Sequence, residues 1–207
     1  DGKLVVSIGP SSNGQGHATV FRQFLADRLG LSDDDVVVSA GDSDRDAPGF
    51  GAVASRSAML VGSAIAVTSD AMLEKARAVA ATLLQATGSE VDYRDGAFEV
   101  TRTGARISLF DVAARAQEMT KQGALQGDLD TNGEAHTGPT FPNGVHVAEV
   151  EIDPETGALA ILRYTAVGDC GVLLNPRIVE GQMQGGIVQG LGQALGEFGQ
   201  FVIMRGE

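Results

Sequence analysis

The chain has 207 residues, 43% of them hydrophobic, enough for one large domain or two small ones with a packed core. A formal net charge of -12 excludes the clustered basic footprint of a nucleic-acid binder and a surface drawn to anionic lipid, so a phosphorylated ligand would have to be held by local geometry. The single cysteine, Cys170, excludes an intrachain disulfide and a zinc or iron–sulfur site built from this chain's cysteines, and is compatible with a reducing compartment.

The N-terminus opens Asp1-Gly2-Lys3 without a signal-peptide pattern, and no apolar run is long enough to span a bilayer. Leu4–Ile8 has the β-branched composition of a short buried strand, and Phe21, Phe24, Leu25 and Leu29 recur at helical spacing. Between them lies Asn13-Gly14-Gln15-Gly16-His17. A glycine on each side of Gln15 lets backbone come close to a bulky ligand, and free N–H groups at a helix start favour negative charge. This is not the dinucleotide fingerprint, because Thr19 stands where the third glycine belongs, and no Gly-Lys-Ser/Thr follows. By itself the run reads first as an ordinary strand-to-helix turn.

Asp35–Ser39 predicts a second strand, followed by a polar loop from Gly41 to Gly51. Asp42, Asp44 and Asp46 alternate like the start of a calcium loop, but Ala47 occupies the required glycine and Val53 the required glutamate, which leaves a solvated loop. From Ser55 to about Ala86 the chain reads as a long helix, with Leu73, Ala76, Ala80 and Leu83 in one stripe and Gly62 as a weak point. At its start, Ala54-Ser55-Arg56-Ser57 offers two hydroxyls and a guanidinium beside a helix N-terminus. A serine N-cap with a solvated arginine is the other reading. Val91–Tyr93, Phe98–Val100 and Arg106–Ser108 predict small antiparallel strands with Asp95-Gly96 as a hairpin turn, and a helix follows over Leu109–Glu118.

Residues 1–119 thus form a first α+β unit, and the polar, Gly-rich stretch 120–142 a linker or long surface connection. Residues 143–207 form a second α+β unit, expected to be truncated. In it His146–Ile152 alternates, Asp153–Gly157 is a turn, Ala160–Val167 is the return strand, and Glu149 with Glu151 marks a solvated edge. The helix from Pro176 to about Gly196 carries Val179, Met183, Ile187, Leu191 and Leu195 at i+4 steps, with Gly185, Gly186, Gly190 and Gly192 leaving little bulk elsewhere. Gln182 on this helix could offer its amide to a ligand's polar edge, or the glycines could serve tight helix packing. Phe201–Ile203 is a last strand-like segment; with the strand-like start, it suggests a piece of a longer polypeptide. His17, His136 and His146 have no metal-ligand spacing, and Cys170 has no paired histidine that would make it a nucleophile. The overall class is α+β, with small mixed or antiparallel sheets packed with long helices.

Taken in order, Asn13–His17, Gly41–Asp44, Ala54–Ser57, Asp169-Cys170-Gly171 with Asn175-Pro176, and Glu180-Gly181-Gln182 with Gly185-Gly186 resemble the molybdenum-binding large subunit of the xanthine oxidase family. The likeness is greatest to its carbon monoxide dehydrogenase and aldehyde oxidase-like branches, and it covers nearly the whole chain, residues 89–141 being least diagnostic. The resemblance implies the molybdenum cofactor-binding fold and a molybdopterin cofactor, alone or as its cytosine dinucleotide. It assigns Gly14, Gln15, Gly16 and His17 to the pterin and its phosphate, Ala54, Ser55, Arg56 and Ser57 to further hydrogen bonds, and Gln182 to the pterin edge. Arg56 varies among branches. The implied reaction is oxidative hydroxylation of an aldehyde, an N-heterocycle or carbon monoxide with water as oxygen source. Electrons would leave through 2Fe-2S clusters and FAD on partner subunits or domains in the cytoplasm. The general-base glutamate is expected outside this chain; Glu207, in Arg205-Gly206-Glu207, is not given that role. Two alternatives stand beside this: a non-catalytic cofactor-binding or assembly module, and a nucleotide-binding α+β domain that uses the Gln15 loop without Gln182.

Overall fold

The computed structural model describes residues 2–46, 49 and 51–197. The strand expected at 201–203 and Glu207 lie outside the described residues. The chain divides into two compact units, Asp1–Gly138 and Pro139–Glu207.

The first unit begins with a strand–helix–strand element. Strand β1 (Leu4–Ile8) pairs in parallel with β2 (Val36–Ala40), with Ser7 opposite Ser39, and helix α1 (His17–Leu29) connects them. Helix α1 buries His17, Phe21, Leu25, Ala26 and Leu29, a stripe at the helical period that faces the core. Gly30 ends it in the left-handed conformation (φ 63°), its N–H returned to the carbonyls of Ala26 and Asp27. Helix α2 (Ser57–Leu83) is continuous through Gly62 and buries Val61, Ile65, Ala76, Val79 and Ala80. Its alanines let α1 and α3 pack closely; Arg28 on α1 holds it, donating to Ser69 Oγ at 3.0 Å and to Asp70 at 2.7 Å.

Three short antiparallel strands follow, β3 (Val91–Arg94), β4 (Ala97–Val100) and β5 (Arg106–Ser108), in that order across the sheet. Asp95 and Gly96 both have positive φ (45° and 74°), the pairing a two-residue primed hairpin turn requires. Helix α3 (Leu109–Lys121) is capped by Ser108, whose hydroxyl accepts from the Asp111 N–H. Phe98, Val100, Leu109, Val112 and Ala116 complete one core with α1 and α2. Beyond α3 the chain runs without regular structure but stays on this unit: Leu125 and Leu129 pack against the core, and Lys75 donates to the Asp130 carbonyl at 2.6 Å.

The second unit is a hairpin and a helix. Strands β6 (Asn143–Ile152) and β7 (Leu159–Asp169) are antiparallel, with Leu162 as the extra residue of a bulge where the register passes from Glu149↔Arg163 to Val150↔Ile161. Asp153 closes the turn by accepting from the N–H groups of Glu155 and Thr156. Helix α4 (Pro176–Leu195) starts on the Asn175 side chain, which accepts from the Ile178 N–H, with Pro176 at the first helical position. Met183 of α4 reaches the backbone of Gly168 on β7, where an added Cβ would come within 2.7 Å of its methyl carbon. The α+β class is the one the sequence predicts.

Candidate functional site

The two parallel strands of the first unit end side by side, so the loops that leave them, 9–16 after β1 and 41–56 after β2, share one edge of the unit. Strand–loop–helix units place ligands at this edge, where helix N–H groups point outward. Gly14 (φ 102°) and Gly16 (φ 81°) take left-handed conformations that a side chain would oppose. Gly16 is the N-cap of α1, and no side chain caps that helix start. Gln15 between them turns its amide oxygen inward, accepting from the Asn13 N–H at 2.5 Å and from Ser12 Oγ at 3.3 Å.

His17 is the first residue of α1 and is only 5% exposed. Both ring nitrogens are shielded from solvent without a hydrogen-bond partner of ordinary geometry, although the ring stacks at a tilt on Phe21, 5.2 Å between centroids. Burial pushes its pKa below the ordinary 6.5, opposed by the nearby Pro10 carbonyl, so the imidazole is neutral at pH 7 and holds one donor and one acceptor. Unpartnered buried polar atoms of this kind call for a missing group, because each costs about 1–3 kcal/mol when left unsatisfied.

On the second loop, the backbone rather than a serine cap shapes the approach to α2. Ala54 (φ 57°) and Ser55 (φ 52°) are successive non-glycine residues in the left-handed region. Such conformations carry a cost of about 1–3 kcal/mol each and cluster at ligand clamps. The helix expected from Ser55 therefore begins at Ser57, with Arg56 as N-cap and no side-chain capping bond, so Ser55 is not the cap. Ala54 and Ser55 are exposed, whereas Arg56 and Ser57 are half-buried.

Sequence reasoning missed how this second loop is fixed. Asp46 Oδ1 accepts from Ser7 Oγ on β1 and from Ser39 Oγ on β2, both at 2.8 Å, and Oδ2 accepts from the Asp42 N–H at 2.8 Å. The Asp42 backbone bond, then the Ser7 and Ser39 hydroxyls, hold the Asp46 carboxyl below the usual range. The available signal was a serine at the same register position of two paired strands. A further contact follows at Gly49, where an added Cβ would come within 2.5 Å of the Gly9 Cα.

Gln182, the remaining predicted site residue, stands on the second unit. It is exposed on α4 and lines a groove of about 420 Å³ with His146, Tyr164, Met183 and Gly186; His146 Nδ1 lies 3.1 Å from the Tyr164 hydroxyl. Among the described residues no group of three or more His, Cys, Asp or Glu side chains could hold a metal ion. No described helix is long and apolar enough to cross a membrane.

The family model described as "molybdopterin cofactor-binding domain" matches residues 1–201. The chain belongs to this family. It is 36% identical over 200 residues to the nicotine 6-hydroxylase large subunit of Paenarthrobacter nicotinovorans, a match covering 95% of this chain and 24% of that protein. Among solved structures it resembles reconstituted CO dehydrogenase from Oligotropha carboxidovorans (TM-score 0.82, 29% identity, 94% of this chain and 24% of the other). It also resembles quinoline 2-oxidoreductase from Pseudomonas putida 86 (TM-score 0.75, 36% identity, 93% and 25%). The chain spans about a quarter of the length of each. The molybdopterin-binding class and the xanthine oxidase family resemblance agree with these matches.

Proposed function

We propose that this chain is the cofactor-holding part of a molybdenum hydroxylase large subunit, and that its edge loops grip molybdopterin. The observation that carries the proposal is His17, a buried neutral imidazole whose ring nitrogens have no hydrogen bond of ordinary geometry, set under an uncapped helix start whose N-cap is a left-handed glycine. The residues fit the group: an anionic, polar, multi-ring ligand needs close backbone approach, outward N–H groups and a neutral donor–acceptor side chain. Gly14, Gln15, Gly16 and His17 would bind the pterin and its phosphate, Ala54, Ser55, Arg56 and Ser57 would add hydrogen bonds, and Gln182 would hold the pterin edge. When bound, the cofactor supplies the two-electron centre for hydroxylating a substrate carbon with oxygen from water. This chain's residues bind and orient that group; the general base belongs elsewhere in the subunit.

Two of the relatives named above, each 36% identical, take their names from nicotine and quinoline, which supports an N-heterocycle as substrate ahead of an aldehyde or carbon monoxide. FAD and 2Fe-2S clusters on partner subunits or domains would carry the electrons away, and the cytosine dinucleotide is the form of cofactor proposed. The test is the native large subunit, co-expressed with its partners in a host that makes the cofactor. Molybdenum per polypeptide and CMP released by acid hydrolysis should both approach one in the parent. Gly16→Val, which places a β-branched residue at φ 81°, should lower both at least about tenfold. A metal-free parent, or a fully loaded Gly16→Val protein, would overturn the reading. Binding of CDP or ADP that responds to Gln15→Ala but not to Gln182→Ala would point instead to a nucleotide-binding domain.

A further inference from the structure

The loop that carries Gly14 to His17 has no regular structure of its own, yet it must hold a defined path if it is to present a ligand surface. Its support comes from the neighbouring loop. The Gly49 backbone presses on Gly9 and Pro10 so closely that a Cβ would lie 2.5 Å from the Gly9 Cα and 3.2 Å from the Pro10 nitrogen; Gly41 is a looser neighbour, where a Cβ would make ordinary contact with the Ser11 side chain at 3.8 Å. The Pro10 carbonyl in turn lies beside the His17 imidazole. One carboxylate fixes the 41–46 part of the supporting loop. Asp46 spends one oxygen on Ser7 and Ser39, the facing serines of β1 and β2, and the other on the Asp42 N–H, all at 2.8 Å. The Arg45 and Asp46 N–H groups close the same turn onto the Asp42 carbonyl at 3.1 and 2.7 Å.

We propose that Asp46 is a positioning residue for cofactor binding: by tying the 41–46 turn to both strand ends it sets the path of the Gly9–Gly16 loop. This rests on the reading that the loop binds molybdopterin. The residue touches no ligand; it acts through Ser7, Ser39 and the glycine contacts. Three acceptor bonds made by one ionised group are stronger than neutral ones and fix direction as well as distance. An asparagine could keep the three contacts only by turning its amide oxygen to the Asp42 N–H and its amide nitrogen to the two serine hydroxyls, and it would lose the charge that strengthens them.

The test uses the native large subunit with its partners and follows two readouts. Hydrogen exchange in the cofactor-free protein reports loop order, and molybdenum per polypeptide under limiting molybdate reports binding. Asp46→Ala should speed exchange in the peptide covering residues 9–17 by about fivefold or more while leaving the peptides of α2 and α3 unchanged. It should lower molybdenum content severalfold. The Ser7→Ala, Ser39→Ala double variant should reproduce part of both effects, and adding it to Asp46→Ala should change little further, as expected when the groups act as one unit. Should Asp46→Ala fail to fold, the serine variant decides alone. Unchanged exchange in 9–17, or additive effects of the serine and aspartate changes, would overturn the proposal. Faster exchange with full molybdenum loading would overturn it as well, since the loop's path would then not govern cofactor binding. If Gly16→Val also loads fully, the failure lies in the reading of the site rather than in the clamp.

Discussion

The two units bury their side chains in different ways, although both are built from short strands and a long helix. The first has a closed core in which Phe21, Phe98, Leu29, Val91, Val100 and Val112 are almost fully buried. In the second no described residue of β6, β7 or α4 is buried, and Val145, Val147, Ile152, Val167 and Val188 are each about half or more exposed. The second unit instead takes its shape from local devices: the Asp153 turn, the Leu162 bulge, the Asn175–Pro176 helix start. Within this chain, long-range packing shapes the first unit and short-range hydrogen bonding the second.

Side-chain truncation should show the difference most sharply. Phe98 is 0% exposed and its ring lies 4.9 Å from that of Tyr93, so Phe98→Ala should destabilise the first unit by about 3–5 kcal/mol. Val147 is 52% exposed, and Val147→Ala should cost less than about 0.5 kcal/mol. Hydrogen exchange measured peptide by peptide checks both. Exchange in α1 and β3 that ignores Phe98→Ala would show that the core does not hold that unit together.

A smaller effect is expected where helix end and hairpin meet. Gly30 has a positive φ, and a Cβ there would come within 2.7 Å of the Asp95 Cα, in the turn between β3 and β4. Gly30→Ala thus combines a left-handed penalty with a backbone collision and should cost about 2 kcal/mol or more. A contrasting glycine in the second unit is Gly157, in the β6–β7 turn, also at positive φ but with open space around it. Gly157→Ala should cost only the conformational part, about 1 kcal/mol. Thermal denaturation of the two variants separates packing from backbone strain, and equal losses would deny the first unit its tighter fit.

How much could be read from the sequence follows the same division. The elements were legible where their cause is local: the β6–β7 turn, the Asp95-Gly96 hairpin, the i+4 stripes of α1, α2 and α4. The cofactor family was legible because several short segments occur in one order. The start of α2 was not, since serine at a helix entrance reads as a cap while nothing in Ala54-Ser55 announces two left-handed residues. Nor was Asp46. Its partner Ser7 is 39 residues away and becomes a neighbour only when β1 and β2 align in parallel register, so its alternation with Asp42 and Asp44 reads as a solvated loop.

The mildest test concerns acid. Asp153 in the second unit and Glu90 in the first both have pKa values below the ordinary carboxylate range, chiefly because backbone N–H groups, of Thr156 and Glu155 in one case and Thr87 in the other, donate to the ionised form. A folded-state value below the unfolded one means stability that is present above the unfolded pKa and lost as pH falls through the folded one. Both turns should hold at neutral pH and loosen as pH falls below the ordinary value of each group, 3.8 for Asp153 and 4.5 for Glu90. The consequences differ. The turn at Glu90 is itself at the surface but joins α2 to β3, both anchored in the packed core, which should hold those elements when the carboxyl protonates. The Asp153 turn has no buried residue beneath it, so chemical shifts of Ile152–Leu159 should drift toward random-coil values first. Asp153→Asn keeps an acceptor for the Glu155 and Thr156 N–H groups and cannot titrate, so it should leave the hairpin intact at pH 7 and flatten the acid drift. A drift that survives Asp153→Asn would place the acid sensitivity of the second unit somewhere other than its turn.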